Sequence, residues 1–420
     1  MTTGEPLPTD GQGDRLLRSA MLCETLAEAG HEVLWWTGDF DHVRKRHRAG
    51  TNQRLHVTAG LEIQTLASIG YRRNLSLRRI VDHIGVARQF RILAAAEPRP
   101  DVILSSLPTL QLCEEANRYG RQHGVPVALD IRDLWPDLFL DCVPQGMKWA
   151  GRVGLAPMFQ SVRRICTEAT AICGITDPFV QWGLDYAARP RTGLDQTFAM
   201  AYRDRPPSEA DRSAADAFWA SHGIDETQFV ACFFGVIGRH SEIETVIRAA
   251  RRIESHCPEL RIVICGLGPN LERCRKIAAG SSTILLPGWV NAAQIWSLLR
   301  RSQIGLAPFI NCDNYTKNLP NKPIEYLSAG LPIITSLHGL LSTILSTHRC
   351  GWTYPEGNIE ALATLFQNCI AERNNLAAFG ERALALYQAQ YRAQEVYGRM
   401  ADYLIDLAEN SSRIQVTTAA

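Results

Sequence analysis

"FVACFFGVIGRHSEIETVIRAARRI", Phe229 to Ile253, joins an unbroken apolar run, a turn flanked by Gly235 and Gly238, and an amphipathic helical pattern. A strand that is apolar at every position has no face to spare for water, so it predicts a parallel sheet covered on both sides. The same rhythm returns at Leu260–Gly266, Thr283–Leu286, Ile304–Pro308 and Leu331–Thr335. An earlier series stands at Glu32–Thr37, Leu61–Thr65, Asp101–Ser105, Pro126–Ile131 and Ala169–Gly174. Two such series, with helical patterns between the runs, predict an α/β protein of two doubly wound parallel-sheet domains. "DRPPSE", Asp204–Glu209, has the composition of a linker, which places the domains at 1–205 and 206–383. Leu384–Leu407 is a long helical pattern, so residues 384–409 are expected to form a helix crossing back to the first domain. Residues 410–420 read as a disordered tail.

A chain of 420 residues has ample length for two or three buried cores. With 46% hydrophobic and 21% charged residues, it has the composition of a soluble globular protein. Lys and Arg number 44 against 43 Asp and Glu, a net charge of +1, so bulk charge argues against nucleic-acid binding and any anion site must be local. The 12 cysteines are scattered without a CxxC pair, which argues against a zinc or thioredoxin motif and for buried thiols in a reducing cytosol. The sequence has no apolar run of about 18 residues and no signal-peptide pattern, so a cytoplasmic protein is expected, able to rest on a membrane surface.

"LPNKPIEYLSAGLPIIT", Leu319 to Thr335, poses a question of charge. Pro323 suits a first helical turn and Gly330 a left-handed C-terminal cap. Lys322 then stands at the positive end of the helix, where a cation opposes the dipole unless an anion is held there too. Glu325 follows three residues later. Arg239 lies near a helix start just beyond a strand's C-terminal edge, where open α/β sheets bind ligands, although an exposed arginine would look the same. Gly11 and Gly13 precede a helical pattern at Asp14–Ala29; such glycines either let amides approach a phosphate or form a plain turn. Only Met1–Thr3 precede that loop, too few for a parallel strand of about 5–6 residues, so the chain is expected to begin late with its first strand incomplete. "LPGWV", Leu286–Val290, offers Trp289 as a cover for a flat base or as a packing anchor. "DIRDLWPDLF", Asp130–Phe139, places Arg132, Asp133 and Trp135 at a strand's end, as crevice residues or as an internal Arg–Asp pair. The basic runs "HVRKRHR" (His42–Arg48) and "YRRNLSLRR" (Tyr71–Arg79) suit either a solvated face or an anionic membrane surface and lipid diphosphate.

Together these motifs resemble glycosyltransferase family 4, retaining enzymes of GT-B fold whose two Rossmann-like domains face a cleft. The likeness is greatest to the branch of O-antigen and capsule transferases for N-acetylated amino sugars such as N-acetylfucosamine. It is carried by Gly30–Val33 with Phe40-Asp41-His42, by "RDLWP" at Arg132–Pro136, and by "P-x-K-x-x-E-Y-x-x-x-G-x-P" at Pro320–Pro332. The resemblance implies that Glu325 holds the donor ribose, and that Lys322 and Arg239, beside the Gly238 turn, stabilise the leaving diphosphate. Main-chain amides of Leu327, Ser328 and Ala329 would assist, Gly288, Trp289 and Val290 would contact the base, and Gly11 and Gly13 would line the phosphate side. Asp133 and Arg132 would face the acceptor or donor sugar. Two departures matter: Lys317 stands where many members carry a first glutamate, and Arg132 or Asp133 where many carry histidine. The implied reaction needs neither metal nor cofactor. Its substrates are a nucleotide-sugar donor, foremost a UDP-sugar, and a saccharide or undecaprenyl-diphosphate-linked acceptor of surface polysaccharide synthesis at the inner membrane face. The alternatives are a UDP-N-acetylglucosamine 2-epimerase, which would need acid/base carboxylates, and a non-catalytic nucleotide-sugar binder.

Overall fold

Each apolar run read from the sequence forms a strand in the computed structural model, which describes residues 1–11, 15–42, 44–74, 76–141, 143–225 and 227–419. The chain divides into two units, Met1–Ala199 with Ala393–Ala420, and Met200–Arg392.

The strands of the first unit are β1 (Val33–Gly38), β2 (Phe40–Asp41), β3 (Arg46–His47), β4 (Gln53–Thr58), β5 (Leu61–Leu66), β6 (Ile103–Leu107), β7 (Val127–Ile131), β8 (Ala171–Gly174) and β9 (Gln196–Thr197). They form a three-stranded sheet in the order β1-β5-β4, a parallel sheet β6-β7-β8-β9 and the short pair β2-β3. Met1–Thr3 bridges the two larger sheets. The Thr2 amide donates to Trp36 O at 3.2 Å, and the Ser106 amide donates to Met1 O at 3.0 Å. Three residues therefore stand in a strand's place, and Met1–Pro6 forms no full paired strand. Strand β4 is not an unbroken apolar run: half-buried Leu55 and Val57 alternate with exposed Arg54, His56 and Thr58, the pattern of a half-solvated strand rather than of the buried ones.

The second unit carries one parallel sheet of β10 (Phe229–Phe234), β11 (Leu260–Cys265), β12 (Ile284–Gly288), β13 (Ile304–Ala307), β14 (Ile333–Thr335) and β15 (Gly351–Thr353). Its order is β12-β11-β10-β13-β14-β15, the doubly wound arrangement that reverses between β10 and β13. Central β10 is buried at all six positions. The helix Ile243–Ile253 packs Val246, Ile247, Ala250 and Ile253 into that core. Reversal of strand order leaves a crevice beyond the carboxyl ends of β10 and β13.

The long C-terminal pattern is two helices, not one. Leu376–Gln390 belongs to the second unit and Ala393–Ala419 to the first. The break falls at Tyr391, whose carbonyl accepts the Tyr202 amide at 3.1 Å and so is withheld from a further helical turn. The last helix runs to Ala419, where the sequence reading placed a disordered tail. Unit boundaries at Ala199 and Arg392 likewise differ from the expected 205 and 383.

Candidate functional site

In the second unit the strand ends and their glycines are brought into register. The Gly235 amide donates to Cys265 O at 2.9 Å and the Gly266 amide to Gly288 O at 2.6 Å. Gly235 and Gly266 have φ of 144° and 137°, and Gly288 has 89°, a region that costs other residues strain. Space is the second reason for glycine. A Cβ on Gly266 would lie 2.9 Å from the carbonyl carbon of Gly235, and one on Gly268 would lie 2.6 Å from that of Ile237.

Lys322 occupies the point where the strand order reverses. It is the second residue of the helix Asn321–Ser328, and its Nζ lies 5.5 Å from the Phe233 ring centroid and 5.4 Å from that of Phe309. Phe233 is on β10 and Phe309 follows β13. The turn carrying Arg239 is pinned to the same segment: the Glu242 amide donates to Pro308 O at 2.7 Å, and the Ile310 amide to His240 O at 3.2 Å. Arg239 itself is exposed, and the Gly238 amide is satisfied by Ser241 Oγ at 3.2 Å. The Lys322 ammonium and the backbone of the turn that bears Arg239 thus meet the same Pro308–Ile310 segment from different elements. Gly288, Trp289 and Val290 close the row of strand ends, with Trp289 54% exposed and Val290 buried.

Two expectations change here. Glu325 is 1% exposed, enclosed by a helix whose residues from Pro323 to Ser328 are all buried, rather than standing on an open wall. The expected amides of Leu327–Gly330 lie at the negative end of that helix and are engaged within it. The Ala329 amide donates to Glu325 O and Tyr326 O, that of Gly330 to Leu327 O, and that of Leu331 to Tyr326 O, the 6→1 bond of a Schellman cap. Leu327 and Ser328 are buried, and the Ser328 hydroxyl donates back to Glu325 O. Leu327, Ser328 and Ala329 therefore serve the helix end, whereas Lys322 stands in the first turn at its positive end. Lys317 pairs with Asp313 at 2.6 Å.

In the first unit Arg132 is captured internally. Its Nε donates to Asp130 at 2.6 Å, and its Nη1 binds Glu5 and, at 3.0 Å, Ser19 Oγ. Arg18, fully buried, makes a two-pronged bond to the same Asp130 at 2.9 and 3.0 Å. Burial opposes the charge on Asp130, but the two guanidiniums outweigh it and hold the carboxyl below its usual range. This corrects the assignment of Arg132 to a sugar. The internal pair exists, formed with Asp130 and Glu5 because both carboxylates are enclosed with it. Gly11 has φ 131° in an exposed turn, and Gly13 lies outside the described residues.

The two basic runs fold onto each other, which their sequence did not disclose. His42 Nδ1 lies 2.6 Å from the Tyr71 hydroxyl, and Lys45 Nζ sits 4.7 Å from the Tyr71 ring. Arg79 lies 4.6 Å from the ring of Trp135 and 5.4 Å from that of Tyr71. His83 stacks on Trp135, and the charge of Asp133 favours the Arg79 cation. Burial, with Arg79 next, pushes His42 and His83 down to about 3 and Lys45 down to about 8. Lys45 also holds a left-handed φ of 56°. Other members of the runs are committed elsewhere: Arg48 to Asp10, Arg44 to Asp41, and Arg78 to the carbonyls of Ile69 and Gly70. Tyr71 in the second run and Phe40 just before the first, which pack together, were the signal that could have revealed this cluster.

Two Rossmann-like α/β units, one with a cation at its switch point, define the class of protein. Family profiles match in the same order: "Glycosyl transferase 4-like domain" over residues 17–192 and "Glycosyl transferases group 1" over 215–385. The chain belongs to glycosyltransferase family 4 and has the GT-B fold. It is 22% identical over 167 residues to the putative colanic acid biosynthesis glycosyltransferase WcaL of Escherichia coli K12, covering 39% of this chain and 41% of that one. The chain thus spans about two-fifths of that relative's length. A GDP-mannose-dependent alpha-(1-6)-phosphatidylinositol monomannoside mannosyltransferase of Mycobacterium tuberculosis is 20% identical over 262 residues, covering 60% of this chain and 66% of that one. Among solved structures, Anabaena HepE in complex with UDP and glucose superposes with a TM-score of 0.64 at 11% identity, covering 94% of this chain and 97% of that one.

Proposed function

We propose that the protein transfers a sugar, an N-acetylated amino sugar by its motif likeness, from a nucleoside-diphosphate donor to a lipid-linked saccharide, with retention of configuration. The observation that carries this reading is Lys322, held over Gly235 where the sheet order reverses, with the Arg239 turn pinned to the same Phe309 segment. Breaking a glycosyl–phosphate bond leaves negative charge on the diphosphate, and cations already in place stabilise it without reorganisation. The departing phosphate oxygen then takes the acceptor's proton on the same face of the sugar, so no protein base and no metal is called for. The motif likeness assigns the donor ribose hydroxyls to Glu325, three residues from Lys322, although its side chain is buried here, and Trp289 offers a face to the base. Uridine is the favoured base, supported by the UDP-bound HepE structure. The Arg79–Lys45–Tyr71 cluster suits an acceptor bearing phosphate, and Asp133 the hydroxyls of a sugar. The relatives named for colanic acid biosynthesis and for phosphatidylinositol mannoside mannosyl transfer support a role in glycan synthesis; the cytoplasmic face of a membrane is where a lipid-linked acceptor would be met.

The test is to incubate the chain with labelled UDP-, GDP- and dTDP-sugars and a polyprenyl-diphosphate-linked saccharide, and to read the product and its anomeric configuration. Labelled lipid-linked product of retained configuration supports the reading. An epimerised free sugar formed without acceptor would favour the epimerase, and donor binding without any product a plain binder.

A further inference from the structure

The helix Leu77–Leu93 carries apolar residues on two sides, one inward and one outward. Its inward residues include Asp82 and His83 beside Val86, Ala87 and Phe90, all buried. Its outward side carries Leu77 at 80% exposure, Ile80 at 38%, Val81 at 54% and Ile84 at 51%. The spacing i, i+3, i+4, i+7 puts these four on one stripe, which on a surface helix is ordinarily the buried face. Ile69, just upstream, is 49% exposed. A second exposed apolar group stands on the helix Lys148–Gly154 and its approach, with Met147 at 58%, Trp149 at 71% and Val153 at 68%. Aromatic contacts tie the two regions together: His83 stacks on Trp135, Trp135 meets Phe139 edge-on at 4.5 Å, and Leu140 and Val143 pack against Gly151.

The charges around these patches name the occupant. From Ala67 to Leu93 the only carboxylate is Asp82, which is buried, whereas Arg72, Arg73, Arg78 and Arg88 are exposed. From Val143 to Gln160 there is no carboxylate at all, while Lys148 and Arg152 flank Trp149. A second copy of this chain seated on the same face would set arginine against arginine. An anionic bilayer accepts both the apolar stripe and its cationic border, and tryptophan suits the interfacial depth. We infer that the outward stripe Leu77–Ile80–Val81–Ile84, with Trp149 and Val153, is a docking surface that inserts into an anionic lipid surface. Within the run Arg44–Arg48, Arg44 and Arg48 are paired and Lys45 is turned onto Tyr71, so exposed Arg46 is what the run adds to the cationic border. The inference deepens the proposed reaction and rests on its lipid-linked acceptor for its purpose, while its test uses no activity.

The full chain is sedimented with vesicles of phosphatidylcholine and with vesicles that also contain phosphatidylglycerol. Cosedimentation with the anionic vesicles is expected, and Ile80→Ser/Ile84→Ser, or Trp149→Ser, should weaken it about tenfold or more, by loss of buried apolar area. These side chains are exposed, so the variants should keep the wild-type melting temperature and the thermal shift produced by UDP-sugar. Equal binding by wild type and variants, or a wild type that stays in the supernatant with both vesicles, would overturn the docking surface. So would a concentration-dependent dimer that disappears in the variants while vesicle binding is absent. A donor-induced thermal shift that persists in those cases leaves the glycosyl-transfer reading standing.

Discussion

Lys322 crosses Gly235 so closely that a Cβ on the glycine would lie 2.6 Å from the lysine's Nζ. The helix that carries the cation and the loop after β10 are therefore fitted to each other through a missing side chain. Gly235→Ala should push the ammonium off the switch point, besides straining a backbone at φ 144°. A displacement of about 1 Å at a reacting centre costs on the order of 100-fold in rate. Turnover in the transfer assay is expected to fall by that order in a variant that still melts cooperatively; wild-type turnover would show that the position of Lys322 does not matter.

Lys322→Ala and Arg239→Ala should lower kcat more than donor affinity, since the charge they meet grows as the bond to the diphosphate breaks. Losses of about 10²–10³-fold are typical for removing one such donor. Steady-state kinetics with saturating donor reads the split. A rise in KM alone would reassign both residues to ground-state binding.

Because Glu325 is 1% exposed, its two variants should behave differently. Glu325→Gln keeps the volume and the fold, and should weaken donor binding by about 1.5–3 kcal/mol through the lost charged hydrogen bonds. Glu325→Ala should lower the melting temperature as well. Calorimetric titration of the folded Gln variant with unchanged affinity would remove the carboxylate from the donor site.

Arg18 and Asp130 are both 0% exposed and bound to each other at 2.9 Å. Arg18→Met leaves Asp130 with Arg132 alone, and breaking a buried pair from one side costs about 3–5 kcal/mol. Urea unfolding should show a loss of that size. An unchanged midpoint would mean that the network contributes little.

Acid should destabilise the first unit. Burial, then Arg79, lowers His83 from its ordinary 6.5 to about 3, so as pH falls below 6.5 the unfolded chain binds the proton first. Stability therefore declines from about pH 6.5 toward pH 3, and Asp130, also lowered, loses its contribution below its own ordinary value. Melting temperatures taken across that range should fall, and His83→Gln should flatten the slope. A slope identical to wild type would contradict a buried neutral His83.

What the sequence determined by itself is local in origin. A strand such as Phe229–Phe234, apolar throughout, has no solvated face, so the parallel sheets follow from the residues alone. Pro323 and Gly330 marked the ends of a helix because a fixed φ and a left-handed φ are properties of single residues. The placing of Lys322 against the helix dipole was legible for the same reason. The tertiary structure decided which distant groups meet. Arg132 reads equally as a crevice residue or as half of an internal pair until Glu5 and Asp130 enclose it. The two basic runs read as solvated faces until Tyr71 and Trp135 gather Lys45, His42 and Arg79 between them. Glu325 was legible as a polar helix residue but not as one the core would close over. Nor could spacing say which way Leu77, Ile80, Val81 and Ile84 would face. A stripe at helical period fits a core or a surface equally well, and only the packing of Val86 and Phe90 turned it outward.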